Sequence, residues 1–119
     1  MKSININEKF NLFQEHWTPK LIGELNGQAV KLAKLKGEFI WHNHKDEDEL
    51  FFVIKGTLII ELEDKILTLS EGDMTIIPRG VEHKPIAEKE VWVMLFEPMC
   101  TKHTGEVEHE LTQTEMEKI

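Results

Sequence analysis

Short apolar stretches separated by turn-forming residues run through most of the chain. Repeated at roughly 8–12-residue spacing, this pattern marks an all-β sandwich or barrel. KLIGEL (20–25) reads as a strand, and Asn26-Gly27 behind it is a strong hairpin signal. QAVKLAKLK (28–36) alternates, with Val30 and Leu32 opposed in phase by Lys31 and Ala33, until Gly37 breaks the run. EFIWHNH (38–44) and ELFFVIK (49–55) are the next predicted strands, the second closed by Gly56. TLIIEL (57–62) and ILTL (66–69) form a hairpin around the turn Glu63-Asp64-Lys65. Glu71-Gly72-Asp73 turns the chain into MTIIP (74–78), which Pro78 and Gly80 stop. EVWVMLFEP (90–98) is the last predicted strand, closed by Pro98.

LFFVI and VWVMLF are apolar on both faces. Such a strand lies between two layers, or has one face on a core and the other against a partner chain. A barrel this small has little material to cover its own outer faces, so a homodimer is expected. Residues 1–19 carry Ile4, Ile6, Phe10, Leu12, Phe13 and Trp17 and predict a short helix or an edge arm. Residues 101–119 form a polar, acidic tail with a short helix expected near Leu111–Met116. No repeat or low-complexity linker interrupts the pattern. The expectation is one domain over 1–119 with its core at about 28–98.

The 40% hydrophobic content is enough for a real core, and the net charge of −8 argues against a nucleic-acid partner. The apolar runs are far shorter than the roughly 20 residues of a membrane helix, so no membrane association is expected. MKSININEKF lacks the layout of a signal peptide. Cys100, the one cysteine, cannot form an internal disulfide, and a cytoplasmic setting follows by default. With no base paired to it in sequence, Cys100 reads as a small buried hydrophobe.

The chemistry gathers in HNHKDEDEL (42–50). On a strand, residues two apart share a face about 6.6 Å apart, so His42 and His44 present two imidazoles side by side. Both can reach one cation at roughly 2.1 Å. Glu49 opens the next strand and can swing back over the same face if the two strands are neighbours. Glu47 shares its parity and is the one substitute. Lys45, Asp46 and Asp48 read as a solvated turn. His83, behind the rigid turn Pro78-Arg79-Gly80, offers a third imidazole. Three neutral nitrogens and one carboxylate suit a divalent Fe, Mn, Zn, Ni or Cu ion. Four protein ligands leave two open positions on an octahedral ion and none on a tetrahedral zinc.

The segments GEFIWHNHKDEDELFFVIKG (37–56) and GDMTIIPRGVEH (72–83) resemble the two motifs of the cupin family. In the first, HxH is followed by four residues, Glu49, six residues and Gly56. In the second, Gly72 is followed by five residues, Pro78, Arg79, Gly80, two residues and His83. The likeness covers roughly 28–98. It departs at Gly37, which stands four residues before His42 instead of five, and at Ala87, where the second motif often ends in Asn. The resemblance implies that His42, His44, Glu49 and His83 are the metal ligands. It also implies a single-domain jelly-roll barrel (a double-stranded β-helix), and dioxygenase, isomerase, decarboxylase or epimerase chemistry. The short cupins labelled mannose-6-phosphate-isomerase-like are the nearest in character.

Ile40, Phe51 and Val53 share the phase of these ligands and are expected to line the barrel interior. Either Trp92, Met94 and Phe96 or Val91, Val93 and Leu95 join them. Arg79 and Lys84 are expected to be exposed charges, with Arg79 the candidate for guiding an anionic substrate. His16, His103 and His109 read as surface residues. The chain has no Tyr, so a tyrosine acid or base is excluded; Glu82 and Glu47 are candidate bases, both expected to be exposed. The expectation is a metal-dependent enzyme of oxygenase or isomerase type on a small organic molecule. The alternative is a non-catalytic binding or sensory protein in which the metal orients a ligand or braces the barrel.

Overall fold

The structure, a computed structural model, describes residues 1–101, 105 and 116–119. A short helix α1 (Ile6–Phe10) precedes seven strands: β1 (Lys20–Leu25), β2 (Gln28–Glu38), β3 (Glu49–Lys55), β4 (Leu58–Leu62), β5 (Ile66–Leu69), β6 (Met74–Ile77) and β7 (His83–Pro98). The fold is all-β and every strand pairing is antiparallel. The main path runs β1-β2-β7-β3-β6, and the β4–β5 hairpin joins through β7.

β7 closes the barrel. Its first residues, His83–Ile86, pair with β4, and its later ones, Val91–Phe96, lie between β2 and β3. β2 follows β7 along its length by absorbing a register shift between Leu35 and Gly37, where glycine takes φ 88°. At Gly56 (φ 90°) the reason for glycine is close approach as well as φ. A Cβ there would lie 3.0 Å from the Glu90 carbonyl oxygen and 3.3 Å from the Val91 side chain. The chain turning out of β3 thus rests directly on β7.

Two expectations are corrected here. EFIWHNH (38–44) is not a strand: β2 runs on to Glu38, and residues 39–48 are irregular apart from a single bridge between His42 and His83. The last strand begins at His83 instead of Glu90. Pro85 contributes to the first. It accepts the Phe39 N–H at 3.0 Å but has no N–H to return, and the β2–β7 ladder ends one residue before it, at Glu38 and Ile86.

The inner face of the barrel is apolar and built by alternation. Ala33 and Leu35 of β2, Phe51 and Val53 of β3, Leu58 and Ile60 of β4, and Val91, Val93 and Leu95 of β7 are all buried in one cluster. Of the two phases open for β7, the Val91 phase therefore lines the interior. A second cluster lies on the outer face, where Phe10 and Phe13 of the N-terminal arm cover Ile22 and Leu32, packed against Trp92 and Met94. Phe10 stacks on Trp92 at 4.6 Å. Part of the surface expected to need a partner chain is thus covered by the chain's own first residues. The expected arm contains α1, capped by the Asn5 side chain, which accepts the Glu8 N–H at 2.9 Å. The helix expected near 111–116 and the surface positions expected for His103 and His109 lie outside the described residues. Cys100 is exposed, not buried, because it falls in the turn beyond Pro98 and not on a strand.

Candidate metal centre

Four side chains from three places in the chain converge inside the barrel. His42 and His44 stand on the irregular 39–48 segment, Glu49 is the first residue of β3, and His83 is the first residue of β7. All four are buried, and one donor atom from each lies within 4.8 Å of the others. The backbone sets this up. His42 N–H donates to the His83 carbonyl at 3.0 Å and His83 N–H to the His42 carbonyl at 2.9 Å, which fastens the two histidines back to back. Gly80 N–H donates to the His44 carbonyl at 2.8 Å, so the Pro78-Arg79-Gly80 turn anchors the other end of the segment.

Two rings are also oriented. His42 Nδ1 lies 2.9 Å from the Ile40 carbonyl, and His83 Nδ1 lies 2.9 Å from the Val81 carbonyl. A carbonyl can only accept, so each ring donates from Nδ1 and turns Nε2 inward. This is how metal-binding imidazoles are usually held. Glu49 Oε1 sits 3.3 Å from His44 Nε2 and 3.5 Å from His83 Nε2. His44 Nε2, His83 Nε2 and Glu49 Oε1 are nevertheless all buried with no hydrogen-bond partner among the described residues. Buried polar atoms without partners are expensive. Three of them aimed at one point form a donor set that fits a divalent cation, and His42 adds the fourth donor.

Burial, with the neighbouring His83 adding to it, pulls His42 down to about 4. Burial alone would raise Glu49, but His44 and His83 beside it hold its carboxyl well below the usual range. Glu97 shows the reverse. Burial and the adjacent Glu49 push its carboxyl well above the usual range, against the pull of Lys31.

A cavity of about 30 Å³ opens beside His42 and Glu49. Trp17, Leu35, Phe39, Phe51, Val93 and Leu95 supply most of its lining, and among the described residues no Lys or Arg contributes to it. Trp17 forms one wall, stacked on Phe39 at 4.5 Å with its indole N–H donated to the Lys36 carbonyl at 2.9 Å. Its backbone takes φ 57°, a sparsely populated conformation for a bulky residue. Of the expected lining residues, Phe51 borders the cavity. Val53 is fully buried in the barrel core, and Ile40 packs against that core.

The other candidates lie elsewhere. Arg79 is 64% exposed and held to Asp48 by its backbone N–H (2.8 Å) and its side chain (3.5 Å), outside the cavity. Glu47 accepts the Asp46 N–H and is not in the cluster. Glu82 is exposed and bound to Asn43. Lys84 pairs with Glu38, and His16 lies 2.7 Å from Glu90. Three residues that face this interior were not expected there. Trp17 had no signal beyond its place in an apolar arm. Lys31 and Glu97 did have one: each continues the inward phase of its strand, Lys31 from Ala33 and Leu35, Glu97 from Val93 and Leu95.

A family model described as a cupin domain matches residues 30–99. The chain is 52% identical to a cupin-2 domain protein from Shewanella frigidimarina, with TM-score 0.79 over 80% of this chain and 93% of that one. It is 30% identical to protein NMB1881 from Neisseria meningitidis, with TM-score 0.75 over 82% of this chain and 99% of the other. The uncharacterized protein YdbB of Bacillus subtilis is 44% identical over 64 residues, 53% of this chain and 57% of that one. The chain spans about half the length of the curated relatives it matches.

Proposed function

Because this chain belongs to the cupin domain family, we propose that His42, His44, Glu49 and His83 bind one divalent transition metal, and that the protein acts as a metal-dependent enzyme on a small, largely apolar organic molecule. The observation that carries the reading is the set of buried, partnerless Nε2 and Oε1 atoms aimed at one point. A bound ion would supply Lewis acidity and open coordination positions. The chain supplies the enclosure. Trp17, Phe39, Leu35 and Phe51 keep water from the donors and offer apolar contact to a ligand entering beside His42.

The lining selects among substrates. Its described residues include no Lys or Arg to meet a phosphate, and Arg79 points into solvent on Asp48. The reading therefore favours an uncharged or weakly polar molecule over a sugar phosphate such as mannose 6-phosphate. One observation favours the second reading, a binding or sensory protein: besides the ligands themselves, the described residues of the cavity lining include no group that can transfer a proton. A cytoplasmic homodimer completes the proposal. Leu50, Phe52 and Phe96, half-buried, with Met74 and Ile76, about half exposed, form the apolar sheet face that the N-terminal arm leaves uncovered.

Protein purified without chelator should carry close to one transition metal per chain by elemental analysis. His42→Ala combined with His44→Ala should remove it; unchanged metal content in that variant rejects the assigned site. Metal-replete protein is then screened for turnover and oxygen uptake against small apolar acids, ketones and thiols, with sugar phosphates as the opposing arm. Tight calorimetric binding with no turnover selects the binding reading.

A further inference from the structure

Next to Glu49 in the sheet, the barrel interior holds a buried Lys31–Glu97 pair. Lys31 is 2% exposed and Glu97 1%. Lys31 Nζ donates to Glu97 Oε1 at 2.8 Å and to the Thr101 carbonyl at 3.2 Å. The β3–β7 register, which pairs Phe51 with Leu95 and Leu50 with Phe96, sets Glu97 across from Glu49 one step further on. Both side chains are buried, and among the described residues Glu97 Oε2 has no hydrogen-bond partner. A buried ion pair is weak evidence for stability, since well-packed apolar residues do as well or better. This one sits within an otherwise largely apolar lining, next to one member of the candidate metal centre.

We propose that Glu97, clamped by Lys31, is a positioning residue for Glu49. It holds the Glu49 carboxylate turned with Oε1 towards His44 and His83 and keeps the second oxygen from swinging in beside it. The inference rests on the metal-binding reading of the four-residue cluster. Its consequence is a site whose carboxylate offers a single oxygen, leaving room at the ion for a ligand arriving from the cavity.

Co(II) is the probe, because its visible absorption reports coordination number and ligand geometry. The parent, K31M/E97L, E97D and E97Q are stripped of metal and titrated with Co(II). K31M/E97L removes both charges at roughly conserved volume. E97D keeps the charge for Lys31 but draws the carboxyl back from Glu49. Both should bind about 10–100-fold more weakly, the usual effect of removing an outer partner of a metal ligand, and both should show altered spectra. E97Q can still accept from Lys31 and meet Glu49, and should restore parental affinity and spectrum. Parental affinity and spectrum in K31M/E97L, or in E97D should the double variant not fold, overturns the inference. Failure of the parent itself to bind Co(II) overturns the metal reading, which separates the two.

Discussion

His42 carries the clearest pH signature of any single residue. Its imidazole titrates near 4 in the fold, against 6.5 for an ordinary histidine. As pH falls through that window the unfolded chain takes up the proton and the folded chain refuses it, so stability is full above about 6.5 and is lost towards pH 4. The loss is on the order of 3 kcal/mol at 1.36 kcal/mol per unit. Denaturant unfolding of the metal-free protein between pH 7 and 4 should show it, and His42→Asn should flatten that part of the profile. The residues of the candidate centre were legible because their spacing is fixed: HxH, then Glu49 measured from Gly56, then His83 measured from Gly80. Glu97 was not recognised, although the phase of its strand pointed it inward, because a charged residue at a strand end ordinarily faces water. What reverses that rule is Lys31, 66 residues away in sequence.

Among the elements, strands with clean alternation or dense β-branched content, such as 20–25, 49–55 and 66–69, could be read directly from the chain. The two misread segments, 38–44 and 83–89, face each other across Pro85, and the ladder that ends beside it leaves no periodic signature in 38–44. The N-terminal arm shows what tertiary context adds. Five residues of helix are far too short to be stable alone. They persist because Phe10 is fully buried against Trp92. Phe10→Ala should therefore destabilise the protein by about 3 kcal/mol, within the range for a buried Phe→Ala change. The measure is the urea unfolding midpoint. A change below about 0.5 kcal/mol, typical of a surface substitution, means the arm is not part of the folded core.

For the whole molecule, the expected homodimer narrows to one sheet face. The registers align Phe96, Leu50 and Ile76 in one row, and Met94, Phe52 and Met74 in the next. The arm shields Met94 but reaches neither Phe52 nor β6. Stable interfaces bury about 800 Å² per partner, so this patch would be the centre of the contact and not its whole extent. Phe52→Asp should convert a dimer to a monomer in analytical ultracentrifugation while leaving metal content at parental level. A monomeric parent removes the dimer from the proposal. Outward apolar runs announced that something covers them; only the three-dimensional arrangement shows which part the arm covers and which part it leaves open.

β7 joins the three strand pairs of the sheet that are otherwise separate: β1 with β2, β3 with β6, β4 with β5. β2 and β3 do not pair with each other, and both wait for β7. During synthesis, then, the first eighty-odd residues emerge as three disconnected ribbons with open edges, and such edges are prone to aggregation. The same strand begins with His83, so the barrel and the fourth donor are completed by one late event. A ribosome-stalled chain released at residue 82 should stay protease-sensitive in the presence of metal, and one extended past Pro98 should not. Closure of β7 would thus decide, in one step, both whether the open edges are hidden and whether the four candidate donors stand together.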